Sequence, residues 1–226
     1  MKKYIKIYDS EELFEVHNIF CVGQNYTEHI KEFNSTCIPE KPVIFSKPDT
    51  AVISGGETIS IPSVNGEKIS DCLHYETEMV VAIGKDGYNI PEENAKDYIF
   101  GYAVGLDMTL RDVQSELKKK GLPWTVAKGF ITSAPVSKIL PSENMPNPMN
   151  TDIELYLNNN RIQFSNTSLM IFNIYKLIAY ISSIFSISKG DLIFTGTPEG
   201  VGKVIKGDLL KAKLGSYIEL QAGVDG

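Results

Sequence analysis

Two glutamates lead straight into the most apolar run of this chain, and few folds can accept them there. Glu76 and Glu78 immediately precede Met79-Val-Val-Ala-Ile83. That uncharged, β-branched stretch predicts a buried strand. Side chains alternate along a strand, so Glu76 and Glu78 share one face of an otherwise apolar element. Neighbouring carboxylates repel unless something positive lies between them. A second apolar run, Tyr102-Ala-Val-Gly-Leu106, ends in Asp107. A third carboxylate there completes an all-oxygen set suited to a hard divalent cation, Mg²⁺ or Mn²⁺, with positions left for water and substrate. Taken alone, Glu-x-Glu favours the wet face of an edge strand, with Asp107 as a helix cap; the flanking sequence reverses that preference.

The chain has 226 residues, 42% of them hydrophobic, enough for a full core in one domain. Its net charge of −6, with no basic block or basic-aromatic stripe, argues against nucleic acid as the main partner. The short run Lys118-Lys-Lys120 reads as a solvated helix end. Cys21, Cys37 and Cys72 have no metal-finger spacing, so reduced thiols in a cytoplasmic protein are expected. The first residues carry lysines but no apolar core of a signal peptide, and they read as a first strand. The stretch from Leu169 to Phe185 is interrupted by Asn173, Lys176, Ser182 and Ser183, which makes it a core helix and not a membrane span.

No linker or repeat divides the chain. Residues 1–15 are expected to be a short N-terminal appendage, and residues 16–226 a single catalytic domain. Strands are expected at Pro42–Ser46 and Thr58–Pro62, and a short helix within Glu28–Phe33. Pro91 opens another helix. Thr109 and Asp112 have the spacing of a capping box, and the helix they start should end near Gly121. The asparagines 158–160 mark the turn of a hairpin. Many short strands with few helices point to an α+β, mainly β fold.

The residues around the carboxylates are similar to those of the fumarylacetoacetate hydrolase family. The matching stretches are Val22-Gly-Gln-Asn-Tyr-Thr-Glu-His29, Pro42-Val-Ile-Phe-Ser-Lys-Pro48, His74-Tyr-Glu-Thr-Glu78, Gly101 through Asp112, Lys118 through Phe130, and Gly190 through Gly202. Together they resemble the short acylpyruvate hydrolase and oxaloacetate decarboxylase members over nearly the whole chain. The resemblance implies a mixed β-sandwich roll with its active site at the mouth, a metal held by Glu76, Glu78 and Asp107, and a homodimer.

Further roles follow from residues and resemblance together. His29 and Glu32 share a face of a helical turn, which is compatible with an exposed pair or with a carboxylate fixing an imidazole as a base. The resemblance implies the second, on a lid that orders around substrate. Lys128 lies in an uncharged stretch and is costly to bury without an anionic partner; the resemblance implies that it stabilises enolate charge. Arg111 and Gln114, on the helix after Asp107, are expected to approach the substrate. His74 shares parity with Glu76 and Glu78, and a supporting hydrogen bond suits it better than ligation. The glycine-rich Thr195–Gly202 segment cannot be aligned to a P-loop. A turn there, with Gly196 and Thr197 offering N–H and hydroxyl groups to a carboxylate, fits instead. Many family members carry arginine where Gln24 stands. Its absence argues against a distally charged substrate unless Lys31 or Lys47 takes its place. The expected activity is metal-dependent cleavage of acylpyruvate-type 2,4-diketoacids such as acetylpyruvate or fumarylpyruvate. The alternatives are oxaloacetate decarboxylation or keto–enol tautomerisation at the same site, and non-catalytic ketoacid binding.

Overall fold

The computed structural model describes residues 2–32 and 38–225, so Phe33 and Cys37 lie outside it. The strand Thr77–Ile83 runs antiparallel between Leu192–Phe194 and Ile99–Leu106, at the centre of a curled mixed sheet. Ile19–Gly23 and Val43–Lys47 extend that sheet on one side, and Ala134–Val136 and Val52–Ser54 on the other. A second sheet packs against it, in the order Asn160–Asn166, Asp152–Leu157, Leu209–Leu214, Ile218–Val224, Thr58–Ile59. This is the mainly β, α+β sandwich roll that the pattern of short strands calls for.

The central strand is buried on both faces. Met79, Val81 and Ile83 enter the core between the sheets, while Val80 and Ala82 enter a second core. Ile5, Phe14 and Val16 close that second core from the hairpin Lys3–Lys6 with Leu13–Val16. Strands buried on both sides read as continuous apolar runs, which is why Met79–Ile83 shows no polar alternation.

Local signals met mixed outcomes. Asn158 and Asn159 adopt positive φ, as the tight turn between Asp152–Leu157 and Asn160–Asn166 requires. Pro91 precedes a 3₁₀ turn at Glu92–Tyr98. Helix Arg111–Lys119 ends at Gly121 (φ +64°), where Leu122 N–H donates to Leu117 O and Gly121 N–H to Lys118 O. The expected capping box does not form. Thr109 sits in a two-residue strand opposite His74 and donates to Asp107 O, while Asp112 accepts from Val113, Asp71 and Ser70. The helix expected from Leu169 begins only at Ile174, because Asn173 caps it by accepting from Tyr175 and Lys176 N–H.

Candidate metal centre and active site

Register brings the carboxylates together. Glu78 pairs with Gly105, and two residues further on Asp107 N–H donates to Glu76 O at 2.8 Å. Even-numbered positions on one strand thereby face odd-numbered positions on the other, and Glu76, Glu78 and Asp107 converge. One oxygen from each lies within 4.8 Å of the others, and all three residues are buried. Gly105 is needed in this register: a Cβ there would meet Phe194 Cε1 at 2.7 Å and Val80 Cγ2 at 2.8 Å.

Three cations surround the cluster. Lys128, at the end of helix Thr125–Lys128, donates to Glu76 Oε2 and Asp107 Oδ2, each at 2.7 Å. Arg111 binds Glu76 Oε1, Gln114 Oε1 at 2.7 Å and His74 Nδ1 at 3.4 Å. Lys47 Nζ lies 2.8 Å from Asp107 Oδ1, an ion pair without hydrogen-bond alignment. Burial would raise the Glu76 carboxyl, but Lys128, Arg111 and His29 outweigh it and hold the group well below its usual range. At Glu78, burial and then the charges of Asp107 and Glu76 push the other way, well above 4.5. Burial opposes the charge on Lys128, yet Asp107 and Glu76 win and raise it. His74 is lowered to about 4, by burial and then by Arg111, and it supports Arg111 as a neutral acceptor outside the cluster.

An all-oxygen, buried cluster with one carboxylate driven toward protonation is what a hard divalent cation would relieve. A carboxyl raised in the folded state costs stability as pH climbs above its unfolded value near 4.5. A cation held by Glu76, Glu78 and Asp107 would remove that cost by keeping Glu78 ionised. The gain in melting temperature on adding Mg²⁺ should therefore grow from pH 5 to pH 8 in differential scanning fluorimetry; an equal gain at both would contradict it.

A cavity of about 60 Å³ opens over the cluster, and Gln24, His29, Arg111, Gln114, Lys128 and Thr197 all line it. A larger groove, about 880 Å³, lies between the N-terminal hairpin and the second sheet, but it holds none of these groups. His29, on helix Thr27–Glu32, has Nδ1 3.2 Å from Glu32 Oε2, and Glu32 Oε1 accepts from Gly200 N–H at 2.9 Å. The dyad is thus tied to the glycine-rich segment.

Three residues expected at the substrate are placed otherwise. Lys47 is buried and does not line the cavity; besides Asp107 it donates to Met108 O at 3.3 Å, Ser133 Oγ at 3.1 Å and Lys128 O. Gly196 N–H is spent on Glu78 Oε2 at 2.7 Å, so it orients a carboxylate of the cluster. Its φ of +97° and the 2.7 Å from an added Cβ to Asn25 Cβ keep that position glycine. Lys31 points to solvent and pairs with Glu28.

Sequence reasoning missed three contributors. Lys118 is exposed, as read, but its ammonium lies over the Trp124 ring at 4.7 Å and the residue lines the cavity, a role not foreseen. Asn25 clamps the glycine-rich segment by donating to Thr195 O at 2.7 Å and to Phe172 O at 2.9 Å. Gln163 bridges that segment to Thr77, between the two glutamates. Asn25 and Lys118 both lie in stretches that match the family, Val22–His29 and Lys118–Phe130; nothing marked Gln163.

A family model for the fumarylacetoacetate (FAA) hydrolase C-terminal domain matches residues 18–225. The chain belongs to this family. It is 46% identical over 209 residues to the mitochondrial oxaloacetate tautomerase FAHD1 of Mus musculus, covering 92% of this chain and 87% of that protein. It is 43% identical over 198 residues to the oxaloacetate tautomerase YcgM of Escherichia coli, covering 87% and 88%. Among solved structures, fumarylpyruvate hydrolase from Pseudomonas aeruginosa, in complex with Mn²⁺ and pyruvate, superposes with a TM-score of 0.93 at 36% identity, covering 99% of this chain and 96% of that one. The family assignment extends over the sheet that carries the cluster. No helix among the described residues is long and apolar enough to cross a membrane.

Proposed function

We propose that this family member is a divalent-metal-dependent oxaloacetate keto–enol tautomerase. The observation that carries this reading is the 43–46% identity, over about nine-tenths of the chain, to oxaloacetate tautomerases of a mammal, a plant and a bacterium. The carboxylate cluster, the buried lysine and the His29–Glu32 dyad at one cavity support it chemically. The acylpyruvate hydrolysis expected from sequence becomes the second reading, favoured by the likeness to the Pseudomonas aeruginosa enzyme.

Glu76, Glu78 and Asp107 would hold the cation, Mg²⁺ or Mn²⁺, which supplies Lewis acidity and a template for an α-keto carboxylate. Tautomerisation moves one proton between C3 and the C2 oxygen of oxaloacetate. His29, oriented through Nδ1 by Glu32, takes the proton from C3 and delivers it to the C2 oxygen to give the enol, and the enol-to-keto direction retraces the same path. The Lys128 ammonium donates a hydrogen bond to the C2 oxygen and keeps its proton as negative charge develops there. Thr197 holds the C1 carboxylate, and Arg111, Gln114 and Gln24 bound the space for the distal end. Hydrolysis would require in addition a water at the His29 imidazole, which tautomerisation does not.

The test is enol–keto equilibration of oxaloacetate followed by ultraviolet absorbance, beside acetylpyruvate cleavage. Expected is acceleration above the buffer rate that needs Mg²⁺, is abolished by EDTA and is lost in Glu76→Gln. Cleavage of acetylpyruvate without any acceleration of oxaloacetate enolisation would sink the tautomerase reading and install the hydrolase. Binding of ketoacids with no turnover of either would leave a non-catalytic binder.

A homodimer and a cytoplasmic location belong to the same proposal. Leu122, Val126 and Ile131 project 47–63% exposed from one segment beside the cavity wall, a surface that a second copy could cover. The free thiols of Cys21 and Cys72 suit a reducing compartment. Sedimentation velocity should give a dimer that Val126→Glu weakens; a monomer at micromolar concentration would contradict it.

A further inference from the structure

We propose that Gln163 is a positioning residue that turns the Thr197 hydroxyl into a hydrogen-bond donor aimed at the cavity, so that this corner of the site selects an anionic oxygen. The inference rests on the ketoacid reading and deepens it. Gln163 is 2% exposed and lies on the strand Asn160–Asn166 of the second sheet. Its amide orientation is dictated by its neighbours. Nε2 faces the carbonyl oxygens of Pro198 at 3.0 Å and Glu199 at 3.2 Å, which can only accept. Oε1 accepts from the Thr77 N–H at 3.2 Å.

With the amide so fixed, Nε2 also faces Thr197 Oγ1 at 3.1 Å; its two N–H groups are shared among these three oxygens, and towards Thr197 the amide nitrogen can only donate. The Thr197 oxygen therefore spends a lone pair on Gln163, and its own proton must point elsewhere. Among the described residues no acceptor takes that proton, and Thr197 is 3% exposed on the cavity wall. A buried hydroxyl in this state gains most from an acceptor bearing negative charge. The same amide accepts from the Thr77 N–H, between Glu76 and Glu78, and so links that backbone to the segment bearing Thr197.

The probe is oxalate, titrated calorimetrically in saturating Mn²⁺ into wild type, Gln163→Met, Thr197→Val and the double variant. Loss of one hydrogen bond to a charged acceptor predicts about tenfold weaker oxalate binding in Gln163→Met. In the Thr197→Val background the same change should cost less than about twofold, because the hydroxyl that Gln163 orients is gone. Mn²⁺ affinity without oxalate should stay within about twofold throughout. Unchanged oxalate binding in Gln163→Met, or an equal loss in both backgrounds, overturns the proposal and leaves Gln163 a structural residue. If wild type with Mn²⁺ does not bind oxalate at all, the ketoacid reading itself fails and the proposal falls with it. Should Gln163→Met not fold, Gln163→Asn, one methylene shorter, withdraws the amide from Thr197 and goes through the same cycle.

Discussion

In a His29→Asn variant, oxaloacetate enolisation should fall by about 10²–10⁴-fold, the range typical of a positioned general base, while Mg²⁺ affinity stays unchanged. The separation of the two readouts follows from geometry. His29 is absent from the carboxylate cluster, yet it lines the cavity above it. Both oxygens of Glu32 are occupied, one 3.2 Å from His29 Nδ1 and the other accepting from Gly200 N–H at 2.9 Å. Glu32 is therefore anchored to the rim of the site, and through it the imidazole is oriented. Asparagine keeps a polar side chain of similar reach but cannot take a proton. A companion, Glu32→Gln, keeps a hydrogen bond to the imidazole while removing the carboxylate, so its rate should fall less than that of His29→Asn. Initial rates across a range of oxaloacetate concentrations distinguish the cases. A variant that changes KM alone would make His29 a binding residue, and full retention of kcat would place the base elsewhere. Acetylpyruvate cleavage in the same variant separates proton transfer from water activation: loss of cleavage with enolisation intact would restrict the dyad to activating water.

Much of the frame was legible because it depends on short-range pattern. Met79–Ile83 announced a doubly buried strand, Asn158 and Asn159 a tight turn, and Gly121 a helix end, each through chemistry local to a few residues. The carboxylate trio was legible for a related reason: strand parity fixes the faces of Glu76 and Glu78, and Asp107 closes a neighbouring apolar run. What stayed hidden depends on register between distant segments. Alternation along 161–165 sets Ile162 and Phe164 against Arg161, Gln163 and Ser165, which would bury the apolar pair. The register shift opposite Leu155 and Tyr156 breaks that parity. Gln163 and Ser165 turn inward, while Phe164 is left exposed under Arg161, whose guanidinium lies 4.5 Å above the ring. The capping box failed for a similar reason, since pairing of Thr109 with His74 outcompeted a local cap. Lys47 was expected at the substrate as a stand-in for the arginine absent at Gln24, but its ammonium reaches Asp107, Met108 and Ser133, none of them near it in the chain.

That buried lysine carries the largest expected effect on stability. Lys47→Met should destabilise the metal-free protein by about 3–5 kcal/mol, the cost of breaking a buried ion pair from one side. The pair is almost fully enclosed, with side-chain exposures of 0% for Lys47 and 1% for Asp107. Methionine matches the aliphatic stem, so little of the loss comes from packing. What remains is an Asp107 carboxylate with one fewer counter-charge, together with two carbonyls, Met108 O and Lys128 O, deprived of a donor. Ser133 Oγ still donates to Lys128 O at 2.8 Å, which limits the damage at that carbonyl. Urea unfolding in EDTA, with the slope compared between variant and wild type, measures the effect. Saturating Mg²⁺ should recover part of it, since a cation beside Asp107 replaces the missing charge but offers nothing to Met108 O. Full recovery by Mg²⁺ would reduce Lys47 to a charge placeholder. A loss below about 1 kcal/mol, the scale of an exposed pair, would mean that Asp107 finds other compensation. The intermediate result is the one the geometry requires: Lys47 joins the end of the Asp107 strand to the end of the helix that carries Lys128, and so sets where that second ammonium stands against the cluster.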